Sequence, residues 1–232
     1  MVAGISIEAG EEEKLRALGV KDSKQLLPRQ RESLAKGIEA LAKDVVVLSL
    51  SACKIDSLRN GGVNLNRIEA EKFADILSLL NPGLAYIDSP DVNPERLSLQ
   101  LRKMIGPREL VVEHKADQRY PVVSAASIIA KVERDREVRE LHKKYGDFGP
   151  GYSSNEKTIA WLRAWLEKNR EWPDIVRKTW ETAREIRREK SQKGIRGFLG
   201  RLREKEECGP QGSRTGSSGP LAEGRRDAGD SP

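Results

Sequence analysis

Two aspartates follow apolar stretches that have the character of strands. Leu84–Ile87 leads directly into Asp88, and Leu110–Glu113 is followed four residues later by Asp117. In α/β proteins, functional groups collect at the carboxyl ends of the strands. Two carboxylates there can share a divalent cation, because Mg²⁺ and Mn²⁺ prefer hard oxygen ligands. The alternative is that both aspartates cap helices or form turns, which on spacing alone is the more common role.

A second candidate feature is the start of a long predicted helix, which is rich in small residues. Ser124, Ser127 and Lys131 fall at positions i, i+3 and i+7, on one face of that helix. This face either lines a site or packs closely against a neighbouring element. The second half of the helix carries opposite charges at helical spacing and is interpreted as solvated. Asp135 is accordingly expected to be an ion-pair partner rather than a metal ligand.

Two loops carry further candidate groups. Gly149–Tyr152 presents one aromatic ring, Tyr152, which could stack on a sugar or a base or could anchor the loop. Lys21–Lys24 offers hydroxyl and ammonium groups that could contact a phosphate, and is otherwise an ordinary polar loop.

The elements that must position these residues alternate in type. The pattern predicts four strands and seven helices, which together indicate an α/β sheet with a helix-rich C-terminal part. The predicted strands are Val2–Ile7, Val45–Leu50, Leu84–Ile87 and Glu109–Glu113. The predicted helices are Glu11–Leu18, Pro28–Lys43, Asn64–Leu80, Pro94–Ile105, Pro121–Tyr145, Glu156–Asn169 and Ile175–Lys190.

Composition excludes several classes of protein. The chain has 232 residues and a net charge of +6, which permits a polyanionic partner without requiring one. It contains no apolar run long enough for a membrane span and no signal peptide, so no membrane partner is expected. Cys53 and Cys208 are far apart, which argues against a disulfide scaffold or a zinc site. We therefore expect a cytoplasmic protein.

The C-terminus differs in composition from the rest of the chain. From Cys208 to Pro232, thirteen of twenty-five residues are Gly, Ser or Pro. Too few of the remaining residues are apolar to offset the conformational entropy that would be lost if the segment became ordered. We expect a folded domain over residues 1–190 and a disordered tail over residues 191–232.

Taken in order, the motifs resemble ribonuclease HII, the type-2 ribonuclease H family, in its archaeal form. The resemblance covers about residues 1–187 and rests on five segments, namely Leu18–Lys24, Tyr86–Asn93, His114–Asp117, Tyr120–Asp135 and Gly149–Tyr152. It implies a ribonuclease H-like mixed sheet flanked by helices, with a helical C-terminal part, and a chain that acts as a monomer.

The resemblance also implies an activity and a set of site residues. Proteins of this family use Mn²⁺ or Mg²⁺ to cut the RNA strand of RNA–DNA hybrids, and they cut at ribonucleotides embedded in duplex DNA. The products carry 5′-phosphate and 3′-hydroxyl ends. By resemblance, Asp88 and Asp117 are catalytic metal ligands and Tyr152 recognises the 2′-hydroxyl. Lys24, Ser127 and Lys131 are carried over as contacts to the nucleic acid.

One family motif does not occur in this sequence. The first strand of the family carries Asp-Glu-Ala-Gly-Arg-Gly, whose first two residues are metal ligands. Ile7–Gly10 echoes it, but lies too close to Asp22 for the family spacing, and Met1–Ile7 instead resembles the second strand. We therefore expect the first, central strand to be missing from the domain and the native protein to be longer.

Two other functions remain open. The chain could be a catalytically inactive homologue that only binds nucleic-acid duplexes. It could also be an α/β enzyme that acts on a small molecule, although no Gly-rich phosphate loop and no nucleophile–base pair occur in the sequence.

Overall fold

The structure is a computed structural model in which residues 1–20 and 26–192 are described. Lys24 and its polar loop, and the tail beyond residue 192, lie outside these residues. Met1–Lys190 forms one compact unit. Among the described helices, none combines the length and the apolarity that crossing a membrane requires.

The N-terminal sheet contains two antiparallel strands. Strand β1 (Val2–Ser6) pairs with β2 (Asp44–Leu48), with Ile5 opposite Val45. Helices α1 (Glu12–Ala17) and α2 (Pro28–Leu41) connect them, and Pro28 stands at the first position of α2, where its missing N–H is tolerated. Gly4 is required in β1, because a Cβ there would clash with Ile76 of the helix packed against the strand.

The second sheet contains two parallel strands, and it carries the first candidate aspartate. Strand β3 (Leu84–Asp88) pairs with β4 (Glu109–Glu113), which places Asp88 opposite Glu113. Helix α5 (Pro94–Ile105) makes the crossover that parallel pairing requires. Helices α3 (Ala52–Asn60) and α4 (Leu65–Leu80) precede this sheet, and α4 is capped by the side chain of Asn64.

The remaining elements are helical. After β4 the chain forms the one-turn helix α6 (Ala116–Arg119), the long helix α7 (Pro121–Tyr145), α8 (Glu156–Lys168) and α9, described over residues 181–192. Helix α7 packs against β1, α2 and α1 and also touches β3. Helix α4 also packs against both sheets, through its contacts to β1 and β2 and through the buried cluster it forms with β3 and β4, so α4 and α7 together join the two sheets.

Three buried clusters hold these elements together. The first joins the N-terminal sheet to α7, the second lies under the parallel sheet, and the third joins α8 to the C-terminal segment. They comprise, respectively, Ile5, Leu15, Leu26, Ala35, Ile38, Ala125, Ile128, Ile129 and Val132; Ala70, Ala74, Leu77, Ala85, Ile87, Leu97, Leu101 and Leu110; and Leu162, Leu166, Trp172, Val176, Ala183 and Ile186.

The predicted α/β class is confirmed, and three details differ. Helices α3 and α6 are not predicted, because the nine residues of α3 carry a weak apolar pattern and α6 is only one turn long. The last helix begins at residue 181 rather than at Ile175, because the backbone before it folds into turns. Over residues 1–20 and 26–192 the four strands form two separate pairs, β1–β2 and β3–β4, with no strand between β1 and β3.

The turns before α9 are held by Asp56, whose side chain is 6% exposed. Its carboxylate accepts hydrogen bonds from the backbone N–H of Lys178 (2.6 Å) and of Thr179 (3.0 Å), and from the Thr179 hydroxyl (2.6 Å). Asp56 therefore fixes the C-terminal segment against α3.

We predict that Asp56→Ala lowers the free energy of unfolding by about 2–3 kcal/mol, because three donors lose their acceptor. Asp56→Asn keeps one acceptor oxygen and should lose less. Urea unfolding measures both, with the exposed Asp174→Ala as the matched control. Equal stability of Asp56→Ala and the wild type would contradict the role given to Asp56.

Candidate active site

Asp88 is the last residue of β3 and is exposed to solvent. Its Oδ1 accepts a hydrogen bond of 3.1 Å from the backbone N–H of Ala116, which lies in the segment after β4. Next to it, the N–H of Ser89 donates to the carbonyl of Glu113 at 2.8 Å, so the pairing of the two strands continues beyond Asp88. The ends of β3 and β4 are thus fixed to each other at this carboxylate.

Asp117 lies in α6, one residue after the amide that Asp88 binds, and is 6% exposed. The chain reaches it through Lys115, which has a left-handed backbone with φ of 56°. The hydroxyl of Ser124 donates to the carbonyl of Asp117 and so ties α6 to the start of α7. The two predicted metal ligands therefore lie at the same edge of the parallel sheet.

An aromatic pair and an acidic residue hold α6 on the sheet. The rings of Tyr86 and Tyr120 lie 4.3 Å apart between their centroids. The Tyr120 hydroxyl donates to Glu113 at 3.3 Å, and Arg119 pairs with the same carboxylate at 2.7 Å. Partial burial, and after it the charge of Glu113, raises the pKa of Tyr120 above its ordinary value. Tyr120 therefore remains a neutral donor at physiological pH.

Asp91 belongs to the turn after β3. It is buried, and its carboxylate accepts a hydrogen bond of 3.1 Å from the N–H of Asn93, while the Ser89 hydroxyl donates to its carbonyl. The bond from Asn93 holds the pKa of Asp91 below the ordinary value. The carboxylate of Asp91 therefore stabilises the turn that leads into α5.

A cleft of about 790 Å³ opens beside Asp88. Strand β1 forms one wall and β3 the other, with α4 and the N-terminal part of α7 between them. Most of the lining is apolar. The polar and charged side chains that line the cleft are Ser6, Glu8, Glu12, Lys43, Asp44, Glu69, Asn81, Asp88 and Ser127. Burial raises the pKa of Glu69 above its ordinary value, and the nearby charge of Arg177 opposes this shift. Asp88 and Ser127 therefore line the same cleft.

Helix α7 continues from the cleft to the aromatic loop. Ser127, Lys131 and Arg134 follow each other at i, i+4 and i+7, so they lie on one face over about 10 Å of helix. Asp135 binds Arg31 at 2.9 Å and Arg134 at 3.3 Å, in agreement with the ion-pair role expected from the sequence.

Tyr152 stands at the far end of that face and is 47% exposed. The guanidinium of Arg134 lies 4.1 Å from the centroid of its ring, and the same group donates to the carbonyl of Pro150. Arg134 is not among the site residues predicted from the sequence. Its position one turn after Lys131, on the same face of the helix, is a pattern from which it could have been predicted.

The donor set at the sheet edge suits one hard divalent cation. Among residues 1–20 and 26–192, no group of three or more His, Cys, Asp or Glu side chains is arranged to hold a metal ion. Asp88 and Asp117 supply two carboxylates, and Mg²⁺ is commonly bound by one or two carboxylates together with water and substrate phosphates. A pair of ions would need further ligands beyond these two residues.

The structure superposes on solved structures of ribonucleases. The structure superposes with a TM-score of 0.72 on the chain in "Structure of the PCNA:RNase HII complex from Archaeoglobus fulgidus", at 42% identity over 81% of this chain and 97% of that one. The ribonuclease H2 of Pyrococcus horikoshii also gives a TM-score of 0.72, at 41% identity, over 80% of this chain and 96% of that one. Bst-RNase HIII in complex with Mn²⁺ shares the fold at 22% identity, with a TM-score of 0.61.

Sequence comparison defines the family. Residues 1–183 match the family model "Ribonuclease HII". The ribonuclease HII of Pyrococcus furiosus is 47% identical over 189 residues, which are 80% of this chain and 83% of that protein. The Archaeoglobus fulgidus enzyme is 46% identical over 187 residues, or 81% and 88% of the two chains. The chain therefore belongs to the ribonuclease HII family of hydrolytic endoribonucleases, as the sequence resemblance predicts.

We predict that Asp88→Asn and Asp117→Asn each weaken Mn²⁺ binding by more than about tenfold, because each removes a charged oxygen ligand. Titration of the Mn²⁺ electron paramagnetic resonance signal measures the affinity. Asp75→Asn, an exposed substitution on α4, is the matched control. If both site variants fold and bind Mn²⁺ as tightly as the wild type does, Asp88 and Asp117 are not ligands of the metal.

Proposed function

We propose that the chain hydrolyses the RNA strand of RNA–DNA hybrids and cuts at single ribonucleotides embedded in duplex DNA. The observation that carries this proposal is the placement of Asp88 and Asp117 at one sheet edge, where Asp88 binds the amide of Ala116 next to Asp117 and also lines the cleft. Membership of the ribonuclease HII family supports it.

In this proposal the site performs phosphodiester hydrolysis with Mg²⁺ or Mn²⁺. The ion, when bound, lowers the pKa of a water molecule and neutralises charge on the phosphate. Asp88 and Asp117 would hold the ion next to the scissile phosphate. Water adds to phosphorus as the 3′ oxygen leaves, so one product carries a 5′-phosphate and the other a 3′-hydroxyl.

Recognition of the substrate is assigned to the face of α7 and the aromatic loop. Ser127 and Lys131 lie between the cleft and Tyr152, where a hydroxyl and an ammonium group can contact the phosphate backbone. Tyr152 has an exposed ring against which a ribose can pack, and its neighbour Arg134 adds positive charge there. We propose that Tyr152 reads the 2′-hydroxyl, the group that distinguishes RNA from DNA. Lys24 is proposed as a further backbone contact.

A second candidate function is duplex binding without cleavage. It is favoured by one observation, that the described residues contain no group of three or more His, Cys, Asp or Glu side chains arranged to hold a metal ion. The two functions share the same binding surface and differ only in turnover.

A cleavage assay separates them. We expect the chain with Mn²⁺ or Mg²⁺ to cut a labelled RNA–DNA hybrid and a DNA duplex with one ribonucleotide, and to leave all-DNA duplex intact. EDTA and Asp88→Asn should each abolish cleavage, while fluorescence anisotropy shows that Asp88→Asn still binds the hybrid. Binding by the wild type without cleavage at any metal concentration would favour the second function; neither binding nor cleavage would contradict both.

A further inference from the structure

The loop that carries Tyr152 connects α7 to α8, and side chains from both helices and from the loop itself hold its backbone. Gly149 and Gly151 both have positive φ, 72° and 69°, so the chain makes two tight changes of direction just before the ring. Three contacts come from partly exposed side chains. Asp147 accepts from the N–H of Gly149 (2.9 Å), His142 Nε2 donates to the Gly149 carbonyl (2.9 Å), and Arg134 donates to the Pro150 carbonyl.

The fourth contact is made by a buried side chain, which joins the two ends of the bend. Thr158 is 3% exposed, and its hydroxyl donates to the carbonyl of Phe148 at 2.9 Å. The same oxygen accepts from the N–H of Gly151 at 3.2 Å. Only a group that both donates and accepts can bridge a carbonyl and an amide in this way, and a hydroxyl does so. One atom thus closes the loop immediately before Tyr152.

Thr158 is itself fixed by the start of α8. Asn155 caps this helix, and its side chain accepts from the N–H of Thr158 at 3.2 Å. Helix α8 packs through Leu162 and Leu166 into the third buried cluster. The hydroxyl therefore has a rigid support, whereas the side chains on the other side of the loop are partly exposed to solvent.

We infer that Thr158 is a positioning residue that sets the place of the Tyr152 ring and so the selectivity of the site for a ribose. This inference rests on the proposed function, in which Tyr152 faces the sugar. Without the hydroxyl, the carbonyl of Phe148 and the N–H of Gly151 lose their buried partner, and the loop relaxes to reach water. Displacing a positioning group by about 1 Å can lower a rate about a hundredfold.

Thr158→Val tests the inference, because valine has nearly the shape of threonine and lacks the hydroxyl. We expect kcat/KM for a DNA duplex with one ribonucleotide to fall by about ten- to a hundredfold. Thr158→Ser, which restores the hydroxyl, should return most of the activity. If valine disturbs the fold, Thr158→Ala removes the hydroxyl with a smaller side chain and serves in its place.

Two further measurements separate positioning from a general loss of stability. The amide of Gly151 should exchange with solvent at least about tenfold faster in Thr158→Val, since it loses its acceptor. In a Tyr152→Ala background, Thr158→Val should have no further effect on cleavage, because residues that act as a unit are not additive.

The outcomes are distinct. Cleavage by the wild type with unchanged kcat/KM in Thr158→Val overturns the inference and leaves the proposed function standing. Additive effects of Thr158→Val and Tyr152→Ala also overturn it, because Thr158 would then act independently of the ring. Failure of the wild type to cut any ribonucleotide-containing duplex overturns the proposed function, and the role of Thr158 in selectivity with it.

Discussion

The bond between the carboxylate of Asp88 and the amide of Ala116 is the contact on which the site depends. Parallel pairing brings the ends of β3 and β4 to one edge, and this bond then fixes how the chain leaves β4. The left-handed turn at Lys115 and the one-turn helix α6 lie directly at this bond. Asp117, in α6, therefore lies at the same edge of the sheet as Asp88, the last residue of β3.

Helix α7 extends this arrangement to the rest of the proposed binding surface. Its buried face belongs to the first cluster, through Ala125, Ile128 and Val132. Its other face carries Ser127 at the cleft and Arg134 at the Tyr152 loop. Helix α7 therefore sets the separation between the cleft and the aromatic ring, and α8 holds the backbone of the Tyr152 loop through Thr158.

Much of this arrangement is predictable from the sequence. Apolar runs with β-branched residues identify β3 and β4, and the aspartates that end or follow them are visible as Asp88 and Asp117. The long helix is equally clear from Pro121 to Gly146. Patterns of this kind depend only on residues that are close together in the chain, so they can be recognised from the sequence.

Contacts between distant segments are not predictable in this way. The bond from Asp56 to the backbone of Lys178 and Thr179 joins residues more than a hundred positions apart, and it shortens the last helix relative to the prediction. The bridge from Thr158 to Phe148 and Gly151 likewise depends on a backbone bend that no residue pattern specifies. The separation of the four strands into two pairs also depends on how distant segments of the chain pack against one another.

The position of a bound metal ion tests the proposed metal site without relying on activity. Anomalous scattering from crystals of the protein grown with Mn²⁺ locates the ion without reference to activity. If the site lies where we propose, a peak is expected about 2.0–2.3 Å from carboxylate oxygens of both Asp88 and Asp117. A well-occupied peak elsewhere, or no peak at this edge at saturating Mn²⁺, would contradict the proposed site.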